Sequence, residues 1–144
     1  MEKKSILWWT IFVLLAIWQL PQFLVAVFML PFIGNIKLIA ERHFNICFVG
    51  SEMAGGISLG PFAFVSQYLT DDASVAHELD GHTVDSKICG PLYLFIIGIP
   101  SLLNAAFDFT KCYYDFYTER LANKHAGLCV DQYCRLYFKK SKKQ

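Results

Sequence analysis

Four residues in this chain have the types and spacing to do chemistry: His77, Glu78, His82 and Glu119. A histidine followed at once by glutamate, with a second histidine beyond, is close to the pattern H-E-x-x-H. In that pattern two imidazoles one helical turn apart reach one zinc ion, and the glutamate serves as base. Neutral imidazole offers a nitrogen lone pair near pH 7, which suits zinc. Here the run is His77-Glu-Leu-Asp-Gly-His82, so the second histidine comes one residue late. At about 100° per residue, a separation of four leaves side chains about 40° apart and a separation of five about 140°. An ideal helix would not bring these histidines to one ion. A π-bulge, with one extra residue in the turn, restores a common face, and Gly81 makes that distortion easier. Glu119 is the best third ligand for a catalytic zinc, which takes three protein ligands and keeps one position open. Glu78 is then the catalytic base. His43 and His125 show no matching spacing, and His125 reads as an ordinary surface or interface histidine.

The elements that must position these residues follow from composition and pattern. The chain has 144 residues, 55% hydrophobic and 17% charged, with mean hydropathy +0.38. That length allows one domain, and the apolar excess leans towards a membrane. A net charge of +1 argues against a nucleic-acid binder. Residues 5–33 are almost wholly apolar and read as one N-terminal transmembrane helix, kinked at Pro21, retained rather than cleaved as a secretory signal. Residues 45–68, rich in β-formers and punctuated by glycine, read as a short β-hairpin. It serves either as an edge for an extended substrate or as a cover over the helices. Residues 72–127 read as a re-entrant helical hairpin rather than a kinked second crossing. Gly98 and Pro100 put its turn at residues 98–101, and residue 98 is midway between His77 and Glu119. Residues 128–144 form a basic tail. The fold class expected is a mainly α membrane protein, one anchor, one β-hairpin and one re-entrant hairpin that carries the motif.

Five cysteines, an odd number with no C-x-x-C pair, read as reduced thiols. Only Lys3 and Lys4 precede the apolar run, whereas Arg135, Lys139, Lys140, Lys142 and Lys143 close the chain. The positive-inside rule then places the site and C-terminus in the cytoplasm, at a bacterial inner membrane. The lipid bilayer is the first partner implied.

The run H-E-L-D-G-H followed by T-E-R-L-A-N resembles the gluzincin metallopeptidases. The likeness is to the membrane-embedded CAAX-prenyl-protease and heat-shock membrane protease types, and to the H-E-L-L-G-H zinc motif of dipeptidyl peptidase III. The segments Gly55-Gly-Ile-Ser-Leu-Gly-Pro61, Gly81-His-Thr-Val-Asp-Ser86, Gly90-Pro-Leu-Tyr-Leu94 and Gly98-Ile-Pro-Ser101 resemble a family of small bacterial membrane proteins that brings no activity with it. The peptidase resemblance implies Zn²⁺ held by His77, His82 and Glu119, with Glu78 as base and a peptide or membrane protein as substrate. Asn123 stands where those peptidases carry an aspartate that orients a ligand imidazole, so this position adds no charge, and Asp85 or Asp80 could hold an imidazole in place instead. The expected function is a membrane-embedded zinc metallopeptidase that hydrolyses peptide bonds through metal-activated water. The alternative is a non-catalytic metal-binding or structural membrane protein whose motif has decayed. A site this small could be completed by a second copy of the chain, as a homo-oligomer.

Overall fold

The computed structural model describes residues 4–139; Lys3, Lys140, Lys142 and Lys143 lie outside them. Its centre is a four-stranded mixed sheet in the order β1-β2-β4-β3, built from β1 (Ile36–Arg42), β2 (Asn45–Gly50), β3 (Ile57–Leu59) and β4 (Phe62–Ser66). β1 pairs antiparallel with β2, β2 parallel with β4, and β3 antiparallel with β4. Successive residues of a strand face opposite sides, and β4 uses both. Ala63 and Val65 join Cys47, Val75 and Leu79 in one apolar cluster. Phe64 joins Leu59, Ala26 and Ile33 in another, with Phe62 packed against it. The sheet is thus covered on one face by the motif helix and on the other by the N-terminal helices.

This architecture overturns the expectation of a mainly α membrane protein with a lone β-hairpin. The expected hairpin over residues 45–68 would pair its two halves antiparallel, but β2 runs parallel to β4, and within that range only β3 and β4 form a hairpin, at Gly60 (φ +65°). β1 is an addition that the sequence pattern does not suggest. Its turn into β2 is His43-Phe44, both at positive φ, a conformation that asparagine, aspartate or glycine normally announces.

The single N-terminal anchor is also corrected. α1 (Ile6–Trp18) and α2 (Leu20–Met29) meet at Gln19, and the apolar run is bent by 96° there. Among the described residues no single helix is long and apolar enough to cross a membrane. The polar residues inside the run explain the bend. Gln19 and Gln22 are both buried. Gln22 donates from Nε2 to Ser86 Oγ (3.0 Å) and to the Gly90 carbonyl (2.8 Å), and Trp18 Nε1 donates to the Lys87 carbonyl (2.9 Å). These bonds hold α2 against the helix that follows the motif.

The motif helix begins at α3 (Asp72–Ala76), capped by Asp71, which accepts from the Ser74 N–H. It passes through a π-helical turn over His77–His82 into α4 (Thr83–Cys89). The expected turn at residues 98–101 does not occur. A second π-helical turn, Leu94–Gly98, leads directly into α5 (Ile99–Phe107). Pro100 lies in the first turn of α5, where a missing N–H costs least. The chain reverses instead after Asp108, in αL conformation, and reaches α6 (Tyr117–Ala126) through residues 109–116. β5 (Leu128–Val130) and β6 (Leu136–Phe138) close the described chain as a small antiparallel pair. A disulfide joins Cys112 to Cys134. It corrects the reading of all five cysteines as thiols.

Gly81 allows α6 to lie against the π-helical turn, because a Cβ there would stand 2.6 Å from the Ala122 carbonyl oxygen. Gly81→Ala is expected to destabilise the protein by about 1–3 kcal/mol through that clash with backbone. Gly55→Ala, whose Cβ meets nothing within 4 Å, should change stability by less than about 0.5 kcal/mol. Urea unfolding of both variants checks this, and equal losses would refute the role given to Gly81.

Candidate metal centre

The π-helical turn wraps one residue more per turn than an α-helix. It brings His77 and His82 to one face, with ring centroids 4.9 Å apart at 83°. Both imidazoles and the Glu78 side chain are buried, and their ligand atoms lie within 4.8 Å of one another, a group that could hold a metal ion. α6 supplies the fourth residue. Glu119, 0% exposed, directs Oε2 between the two rings, 2.9 Å from His77 Nε2 and 3.1 Å from His82 Nε2. Donors bound tetrahedrally to zinc at about 2.0–2.1 Å stand about 3.3 Å from each other, close to the separation of Glu119 Oε2 from each imidazole nitrogen.

Neighbours fix which atom of each residue faces the centre. Glu119 Oε1 accepts from the Ser101 and Thr118 hydroxyls, which leaves Oε2 for the imidazoles. His77 Nδ1–H donates to Asn123 Oδ1 at 2.7 Å, directing the Nε2 lone pair inward. His82 Nδ1 lies 3.4 Å from Asp85 Oδ2. Glu78 accepts from the Ser58 hydroxyl at Oε2 (2.7 Å), tying it to β3. Gly56 beside it has no room for a side chain, since a Cβ would stand 2.2 Å from Glu78 Oε1.

The candidates that the sequence singles out therefore part company. His77, Glu78, His82 and Glu119 are brought together, with Asn123 and Asp85 behind the two histidines. Asp80 is not among them. It turns away to Arg42 Nη1 at 2.6 Å. His125, read as an ordinary surface or interface histidine, is half-buried on α6. Its Nδ1 lies 2.8 Å from Asp85 Oδ1, so Asp85 stands between His82 and His125 with no other partner for its carboxylate among the described residues. Ser58, Ser101, Thr118 and His125 escape sequence reasoning because a hydroxyl or a lone histidine carries no local signature. His125 is on α6 with Glu119, and a spacing of six residues does not suggest a link through a third residue on another helix.

The electrostatics favour a cation. Glu78, Asp85 and Glu119 are all buried, and among the described residues no lysine or arginine pairs with them. Burying carboxylates without positive partners is costly. Burial opposes charge on His82, yet Asp85 and Glu119 prevail and lift its pKa from 6.5 to about 10. Burial acts to raise the Glu119 pKa, yet the imidazoles of His77 and His82 on either side of Oε2 hold it well below the usual carboxylate range. A proton on His82 partly offsets the site's negative charge, and a divalent ion would offset more. No known protein family matches the chain, nor does any curated protein or solved structure; the peptidase likeness therefore rests on the motif residues alone.

Two outcomes follow. Because the His82 pKa is raised in the folded protein, its contribution to stability is complete below pH 6.5 and is lost as pH rises through about 10. Zinc requires the neutral imidazole and competes with that proton, so its affinity should climb by up to about tenfold per pH unit in the same window. Unfolding midpoints measured from neutral to alkaline pH should fall for the metal-free protein. With zinc present the gain over the metal-free form should widen; parallel curves would contradict the competition. Secondly, His125→Ala should weaken zinc binding by about 10-fold, by releasing Asp85 from one side. His125→Asn, which keeps a donor near the Nδ1 position, should retain most of the affinity. Competition against a chelating dye measures both.

Proposed function

We propose that this protein is a zinc-dependent hydrolase of peptide bonds, with His77, His82 and Glu119 as ligands and Glu78 as base. The observation that carries the reading is the buried convergence of Glu119 Oε2 with both imidazole Nε2 atoms, beside a second, separately anchored carboxylate, that of Glu78. Zinc bound there would supply Lewis-acid polarisation of a carbonyl and lower the pKa of water.

The chain's own residues account for the rest. Glu78 is held by Ser58 near the imidazoles without sharing the hydroxyls that fix Glu119. A carboxylate so placed takes a proton from water as its oxygen adds to the acyl carbon, and returns that proton to the leaving amine as the C–N bond breaks. Tyr113 has its hydroxyl 3.4 Å from Ser101 Oγ. Burial, and next the charge of Glu119, push its pKa up, so it stays a neutral hydroxyl able to donate.

The test separates holding the metal from using it. His77→Ala and Glu119→Ala should lose stoichiometric zinc. Glu78→Gln should keep zinc and lose about 10²–10⁴ in the hydrolysis rate of internally quenched peptides. Zinc bound equally by wild type and Glu78→Gln, with no hydrolysis by either, would favour the non-catalytic metal-binding reading. Absence of zinc from the wild-type protein would overturn both.

A further inference from the structure

The same centre opens into a cavity of about 380 Å³ that the mechanism above does not use. Its volume lies within the range of about 300–1,000 Å³ for small-ligand sites. Glu78 and His82 line it together with Ser58, Ser101 and Tyr113, and among the described residues no lysine or arginine does. The remaining wall is apolar, with Met29 from α2, Leu59 from β3, Leu94 before α5 and Leu102 on α5. These residues come from elements far apart in sequence, so the cavity exists only because α2 and α5 both pack beside the motif turn. Val25, Ile99, Leu102 and Ala105 line it while remaining exposed, which puts them at its mouth.

A group entering this cavity beside Glu78 would exchange water for apolar surface. A charged side chain would meet no lysine or arginine and only Glu78 and the ligand imidazole of His82, whereas a large aliphatic or aromatic one gains about 25 cal/mol per Å² of surface removed from water. We propose that the cavity is the side-chain subsite of the centre, and that the substrate is a peptide with a large apolar residue next to the scissile bond. This rests on the hydrolytic reading above. The reaction is hydrolysis alone: water gives hydroxyl to the acyl carbon and hydrogen to the amine, and no further reactant is needed.

The experiment uses the full zinc-loaded chain and a set of internally quenched peptides that differ only in the residues flanking the scissile bond. Leu or Phe there should exceed Ala by about 10-fold or more in kcat/KM, and Asp or Lys should fall below Ala. Ala105→Phe, at an exposed position of the mouth, should narrow the cavity and shift the preference to Ala while zinc stoichiometry stays at the wild-type value. Binding of the same peptides to zinc-loaded Glu78→Gln, read by fluorescence anisotropy, should rank them in the same order. Hydrolysis without preference for apolar residues, unaltered by Ala105→Phe, overturns the subsite and leaves the hydrolytic reading standing. No hydrolysis of any peptide, with apolar peptides still bound in an Ala105-dependent way, overturns the hydrolytic reading and leaves the cavity as an apolar peptide site.

Discussion

Glu119 Oε2 sits between two imidazole nitrogens in the protein interior, and most of the fold can be understood as what it takes to keep it there. With His77 protonated at Nδ1 by its bond to Asn123, its Nε2 presents a lone pair to a carboxylate that also presents lone pairs. Three such acceptors cannot converge in a dry interior unless something positive lies among them. A proton on His82 is the minimum, and its raised pKa is the sign of it. The arrangement is thus a buried cluster of imidazoles and carboxylates that could hold a metal ion. Asp85 adds negative charge behind His82, and His125 holds Asp85 from the far side.

The constraint propagates outward through geometry. Two histidines five positions apart share a face only if the helix takes in an extra residue, so the π-helical turn is a requirement of the site. Asp80, in the same turn, pairs with Arg42 of β1. Gly81 then provides the flat surface on which α6 rests. The sheet matters because Leu79, on the opposite side of the same turn, is completely buried against Cys47, Ala63 and Val65. Between the sheet on one side and α6 on the other, the turn has little freedom to relax to an α-helix. Burial of a Leu is worth about 1.5–3 kcal/mol, enough to offset the poorer hydrogen-bond geometry of a single π turn.

How much of this is legible in the sequence differs by residue type. His77, Glu78, His82 and Glu119 carry a pattern in their identities, and the need for a π-bulge follows from about 100° per residue. The sheet does not announce itself. β1 reads Ile-Lys-Leu-Ile-Ala-Glu-Arg and is only partly buried, so its alternation is blurred, and its turn lacks glycine. The parallel pairing of β2 with β4 is a long-range choice that no local pattern encodes. The N-terminal run misleads for a different reason. Its length matches a membrane span, and Gln19 and Gln22 look like interruptions of it. Gln22 is in fact the residue by which α2 is bonded to the motif helix. A glutamine inside an apolar run says that a partner exists without saying where.

The position of the chain reversal has the largest consequence. Gly98 and Pro100 are strong breakers by composition, and a hairpin there would put Ser101 at its tip. The chain instead absorbs the proline in the first turn of α5, after a π-helical turn, and continues to Phe107. Continuation carries Ser101 to Glu119 Oε1, where with Thr118 it occupies one carboxylate oxygen and leaves the other for the imidazoles. It also lays Leu94 and Leu102 along the cavity that opens on Glu78. The reversal moves to residues 108–116, a segment fastened by the Cys112–Cys134 disulfide just ahead of Tyr113 and Tyr114. Tyr113 reaches Ser101, and Tyr114 stacks edge-on against His77 at 5.3 Å. A tie at Cys112 therefore restrains the two aromatic residues that touch the site from outside the helices. The agreement between the midpoint of the motif residues and the Gly-Pro break is a coincidence of numbering. What brings His77 and Glu119 level is the contact of Gly81 with Ala122, and that contact is independent of where the chain turns.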